Sequence, residues 1–230
     1  MWNWANDGEL LDAFSSLSKF EKSLLFFWAC LPIVTLGSGL SPSQTYLLAT
    51  SLLNIFGLNY TMVYTVIQGL ALILIFSNRN LLCAMFKAPQ CNFDFLKDKW
   101  GYRLACWAVI LMIFSAFLLW WRPEILITMR GLTDNAKVPD WMFSAVKEEL
   151  TDRFIFYYAI VLLSGRSGGL LFSMLFFAIF HDYNHAYMVN MILAGSFHVF
   201  LLLWSGSLSL PILVHILSNS AIFFFFKFLS

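Results

Sequence analysis

Residues 104–121 read LACWAVILMIFSAFLLWW, eighteen consecutive positions without a charged side chain. As a helix this stretch is roughly 27 Å long, close to the hydrocarbon thickness of a bilayer. A helix on a soluble surface keeps a polar face, and this one has none, so the stretch predicts a membrane span. The same texture recurs on both sides of it. Apolar runs predict further helices over 22–39, 60–77, 142–164, 168–183, 189–204 and 208–228. A shorter run, 44–58, is interrupted by Gly57 and Asn59 and either spans or lies in the bilayer as a partial helix. The expected fold is therefore all-α, a polytopic membrane helical bundle of seven or eight transmembrane helices. No soluble domain, internal repeat or low-complexity linker interrupts it.

Composition agrees. The 230 residues are 60% hydrophobic and only 12% charged, with a mean hydropathy of +0.75. Soluble domains carry about 25% charged residues, twice this share. The net charge of +1 gives no reason to expect nucleic acid or an acidic partner. Cys30 and Cys106 fall in apolar runs, while Cys83 and Cys91 share a polar loop without histidines at metal-ligand spacing. No disulfide framework is expected. Asp7, Glu9 and Asp12 precede the first lysine, Lys19, which is the wrong charge order for a cleavable signal peptide. Residues 1–21 thus read as a retained interfacial segment, 22–139 as membrane helices with a basic loop, and 140–228 as the helices that carry the chemistry.

The loop from Ser77 to Arg103 holds Arg79, Lys87, Lys97, Lys99 and Arg103, so the positive-inside rule makes it cytoplasmic. Trp120, Trp121 and Trp141 bracket the 122–140 loop, as aromatic residues do at headgroup level. Small size and the lack of a targeting signal favour a bacterial inner membrane.

Ionisable residues inside a span cost a few kcal/mol each, about 2.5–3.5 on insertion scales, so each invites a functional reading. They form three groups. The first is KEELTDR at 147–153, where Glu149 and Arg153 are four residues apart and share a helix face. Glu148 lies about 100° around the helix from Glu149 and is free to point elsewhere. The bland alternative is a solvated helix start, but Trp141, Met142 and Phe143 place the start a turn or two earlier. The second is Phe177 and His181, one turn apart at the end of an apolar run. His185, Asp182 and Asn184 beyond them read as loop. The third is His215 and Asn219, again one turn apart in aliphatic surroundings behind Pro211. Such a pair also serves as interhelical glue. His198, alone on its helix, reads as structural.

In this order, Glu-Glu-x-x-x-Arg, Phe-x-x-x-His and His-x-x-x-Asn resemble the CPBP (Abi) family. That family includes the Ras-converting CAAX endopeptidases and bacteriocin-processing or self-immunity proteins. The resemblance covers roughly residues 140 to 225 and implies an intramembrane endopeptidase with Glu148, His181, His215 and Asn219 as catalytic residues. Glu149, Arg153 and Phe177 support them. Peptide hydrolysis needs an activated water, a donor for the developing oxyanion and a proton for the leaving amine. Glu148 with His181 suits the first, and His215 with Asn219 suits the second. No cofactor is expected to be required, although two histidines and a carboxylate (Glu148, His181 and His215) would also make a zinc site.

The implied partners are the lipid bilayer and a membrane-associated peptide or protein: a prenylated CAAX-like tail, a leader peptide or a C-terminal sorting signal. A non-catalytic immunity or scaffold protein of the same family, and an ion-coupled transporter, are the alternatives. One difficulty follows from the predicted boundaries. Glu148 and His215 enter from opposite sides of the membrane and meet only if a helix starts earlier, tilts or breaks.

Overall fold

The computed structural model describes residues 5–36, 57, 60–89, 99–122, 124, 138–180 and 185–228. The regular elements among them are helices: α1 (Gly8–Ser15), α2 (Lys19–Leu36), α3 (Tyr60–Ser77), α4 (Arg79–Met85), α5 (Lys99–Trp121) and α6 (Val138–Glu148). A π-helical turn (Glu149–Ile155), α7 (Phe156–Phe180), α8 (His185–Ser205) and α9 (Ser209–Phe228) complete them. Four stretches are long and apolar enough to cross a membrane: Lys99–Trp121, Trp141–Ile179, Met188–Ser205 and Ser209–Lys227. A fifth arises if the bent pair Thr65–Ser77 and Arg79–Met85, which meet at 88°, counts as one. The protein is thus an all-helical integral membrane protein, but seven or eight spans are not seen among the described residues, and 44–58 lies outside them. Large apolar side chains such as Ile113, Trp120 and Leu163 stand exposed on the outside of the bundle, as lipid-facing residues must.

Trp141–Ile179 is not one rod. Gly165 adopts φ 75° and ψ 175°, a conformation that side chains with a Cβ rarely reach, and the chain reverses there. Phe156 and Phe176 stack with centroids 4.1 Å apart. In a straight helix, twenty residues would separate them by about 30 Å. Ser173 Oγ donates to the Asp152 carbonyl at 2.7 Å across the same reversal. At Gly169 the two arms come so close that a Cβ would lie 2.5 Å from Val161 Cγ2. The two helices expected at 142–164 and 168–183 are therefore arms of a hairpin, turned by the Ser-Gly-Arg-Ser-Gly-Gly run at 164–169. The first arm's helix starts at Val138, four residues before the expected position, which puts Glu148 ten residues inside.

The expected interfacial segment contains α1, whose Leu10 and Phe14 are fully buried. Phe14 meets the rings of Phe154 and Tyr158 on the first arm. Just ahead of α1, the Asn6 N–H donates to the Leu203 carbonyl at 2.7 Å and its amide to the Trp204 carbonyl at 2.5 Å. Gly206 makes this approach possible: it has φ 61°, and a Cβ there would fall 2.1 Å from the Asn6 carbonyl oxygen. Asp7, also fully buried, pairs with Arg166 at 2.7 Å and accepts from the Tyr158 hydroxyl at 3.3 Å. The basic loop read from Ser77 to Arg103 is shorter than expected, since α4 and the start of α5 lie within it, and Cys83 sits in α4.

Candidate active site

The π-helical turn sets the geometry of the site. Its hydrogen bonds reach one residue further than in an α-helix, so the Phe156 N–H donates to the Thr151 carbonyl. This widens the backbone, and such turns concentrate at functional sites. All seven residues of the turn are buried, including Glu149, Asp152 and Arg153. Burying these charges is tolerable only with compensation. Arg153 Nε lies 3.8 Å from Glu149 Oε1 and Nη1 lies 3.6 Å from Asp152 Oδ2. The guanidinium carbon lies 3.6 Å from the centroid of Phe177, a cation–π contact of about 2 kcal/mol when water is excluded. Thr151 Oγ1 donates to Asp152 Oδ1 at 2.7 Å. The predicted Glu149–Arg153 pairing is thus present, at ion-pair distance rather than as a hydrogen bond.

His215, on α9, lies between the two glutamates. Its Nδ1 is 2.7 Å from Glu149 Oε1. A carboxylate can only accept, so with Glu149 ionised this nitrogen carries the proton. Nε2 faces Glu148 Oε2 at 3.6 Å, beyond hydrogen-bond length. Glu148 Oε1 accepts from Ser144 Oγ at 2.6 Å, which fixes the carboxylate from the preceding turn. The depth problem therefore resolves: the early start of α6 carries Glu148 and Glu149 inward to meet His215.

Of the expected site residues, the structure gathers Glu148, Glu149, Arg153, Phe177 and His215. The Phe177 and His215 rings meet edge to face, 6.3 Å apart. Asn219, one turn along α9, donates to the Trp141 carbonyl at 3.3 Å, on the helix that carries Glu148. His181 lies outside the described residues.

His198 joins the cluster although its sequence context marks it only as structural. From α8 its Nδ1 comes within 3.0 Å of Glu149 Oε1, the oxygen that His215 also approaches, and its ring lies 4.8 Å from that of His215. The contact is at ion-pair distance, so two imidazoles share one carboxylate oxygen. No spacing motif announces His198, because its partners sit 49 and 17 positions away. The signal that was available is its position: an ionisable group inside an apolar span. Glu149, His198 and His215 each offer a potential metal-ligand atom, and these atoms lie within 4.8 Å of one another. This trio shares only His215 with the zinc set read from the sequence.

Residues 138–221 match the family described as type II CAAX prenyl endopeptidase Rce1-like, in agreement with the family resemblance read from the motifs. The match spans the three motif-bearing segments and α8 between them. No curated protein matches the chain, and no solved structure does.

Proposed function

We propose that this chain, which belongs to the Rce1-like family of type II CAAX prenyl endopeptidases through residues 138–221, is an intramembrane endopeptidase. It cleaves a membrane-associated substrate near its end. The observation that carries the reading is the double engagement of His215, with Nδ1 2.7 Å from Glu149 and Nε2 3.6 Å from Glu148. Glu149 anchors and orients the imidazole, and Glu148 remains on the side where substrate chemistry takes place.

Hydrolysis then proceeds on the groups in hand. Glu148, oriented by Ser144, takes a proton from water as the oxygen adds to the scissile carbonyl. The oxyanion that forms meets donors from α9: the Nε2–H of His215 in its imidazolium form, whose Nδ1–H Glu149 holds, and the Asn219 amide, which leaves the Trp141 carbonyl to reach it. Glu148 passes its proton to the departing amine, which completes the cleavage. His181 has the role of a second orienting group for the water. Arg153 holds the carboxylate layer together from beneath.

The surroundings of the site favour a lipid-borne substrate. The helices that carry it are clothed in exposed apolar side chains, so a peptide tethered to the same bilayer approaches without leaving the membrane. A prenylated tail, a leader peptide and a C-terminal helix all meet that description. The host is proposed to be a bacterial inner membrane. The test is to incubate the purified protein with membrane-tethered peptides of these three kinds. Wild type releases a defined fragment from at least one, and Glu148→Ala and His215→Ala release none while remaining monodisperse. Equal release by both variants removes the assignment.

A further inference from the structure

The π-helical turn leaves one carbonyl to be satisfied from outside its own helix. Within the turn each N–H reaches five residues back, and the Phe156 N–H ends that pattern on the Thr151 carbonyl. In α7 the reach returns to four residues, which assigns the Tyr157 N–H to the Arg153 carbonyl. The carbonyl passed over is that of Asp152, in a turn whose residues are all buried. A buried carbonyl left without a donor is costly, and native structures nearly always provide one. Here the donor is Ser173, itself buried, whose Oγ lies 2.7 Å from the Asp152 oxygen.

The usual use of a serine hydroxyl inside a helix is to bond a carbonyl of its own preceding turn, as Ser164 does with Ile160 and Ser218 with Val214. Ser173 instead reaches across the hairpin to a residue 21 positions away. Its place is fixed by neighbours on the same face of the second arm. Gly169 admits the first arm beside Val161, Phe176 stacks on Phe156, and Phe177 covers Arg153. The width of the turn matters for the site because it sets the angle at which the preceding residues emerge. Closing it to an α-helix would rotate everything ahead of it by about 100° relative to α7. Glu148 and Glu149 lie at that end, and their approach to His215, at 3.6 and 2.7 Å, would not survive the rotation.

We propose that Ser173 is a positioning residue for the hydrolysis. By donating to the carbonyl that the turn passes over, it keeps the turn wide and so keeps Glu148 and Glu149 directed at His215. It touches no reacting atom and acts through the backbone of Asp152 alone. The role deepens the peptidase reading and rests on it.

The experiment reads the full chain in detergent in two ways. The first uses no substrate: it follows the low-field proton resonance of the His215 Nδ1–H bonded to Glu149, assigned by its loss in His215→Ala. Ser173→Ala is expected to lose this resonance, while Ser164→Ala, whose hydroxyl serves its own helix, keeps it. The second reads turnover of a peptide that wild type cleaves. There Ser173→Ala is expected to lower kcat by about 10–100-fold with KM within about twofold, as a misplaced catalytic group does. Should Ser173→Ala fail to fold, Ser173→Cys decides: it is close in size and a weaker donor, and is expected to shift the resonance and lower kcat. A folded variant at 173 with the wild-type resonance or the wild-type kcat overturns the proposal. Absence of the resonance from wild type, or its equal loss in Ser164→Ala, overturns it too. If the resonance depends on Ser173 in a chain that cleaves nothing, the link from Ser173 to His215 stands and the peptidase reading falls.

Discussion

Asp7 and Glu149 are both fully buried carboxylates, and they differ in the company they keep. Asp7 has one guanidinium at 2.7 Å and one phenol at 3.3 Å, a balanced set that ties the segment ahead of α1 to the hairpin within α7. Glu149 sits with two imidazoles, a guanidinium held 3.8 Å away, and the further acids Glu148 and Asp152. The first cluster closes on itself. Among the described residues, the second gathers Glu148, Glu149 and Asp152 around the Arg153 guanidinium and two imidazoles, on a backbone widened into a π turn. A charge arrangement of this kind costs stability and persists where chemistry is done.

The largest expected effect separates the two clusters by function. Glu148→Gln removes the base and is expected to lower cleavage by about 10²–10⁴-fold with little change in thermal stability, as followed by peptide release and by melting in detergent. Asp7→Asn is expected to leave the rate within about twofold, since substitutions away from the site shift it little. A rate loss in Asp7→Asn equal to that in Glu148→Gln would erase the distinction. Next comes Arg153→Met, which leaves Glu149 and Asp152 without their cation. Breaking a buried ion pair from one side costs about 3–5 kcal/mol, so a large drop in melting temperature is expected. An unchanged melt would mean that the guanidinium does not stabilise the acidic layer.

A smaller loss tests the other cluster. Gly206→Ala places a Cβ against the Asn6 carbonyl at positive φ, and such strain costs about 1–3 kcal/mol. Loosening of the first helix should then appear as faster amide exchange around Leu10 and Phe14, with exchange near Glu149 much less affected. The smallest effect is in pH dependence. Burial, opposed by Arg166, the hydrogen bonds to its own backbone and Tyr158, and Lys87, holds the Asp7 carboxyl above its ordinary 3.8. The folded state therefore grips that proton more tightly than the unfolded chain. The resulting stability is fully present below pH 3.8 and is lost as pH rises through the folded value. Asp7→Asn should flatten this part of the profile.

Much of this was legible in the sequence, for local reasons. The helix expected at 60–77 is α3, Tyr60–Ser77, because an unbroken apolar run bounded by polar residues leaves little choice. The Glu149–Arg153 pairing followed from a spacing of four. The hairpin was readable as two helices because glycine is dense at 164–169, although the tightness of the reversal depends on Gly165 at positive φ. What escaped was non-local. His198 is recognised by residues on two other elements, and the docking of α1 depends on Gly206, far along the chain. The π turn also left no trace, since nothing in ELTDRFI at 149–155 distinguishes a wide turn from an ordinary one.

Glu148, set against His215 by the Glu149 anchor, is proposed to hydrolyse a peptide bond within the membrane. The most direct measurement is mass spectrometry of a prenylated C-terminal peptide, a leader peptide and a C-terminal helix, each reconstituted in liposomes with the full chain. Wild type is predicted to release one defined fragment with time, and Glu148→Gln to release none over the same period. Fragment release at the wild-type rate by Glu148→Gln, or no release from any of the three by folded wild type, would contradict it.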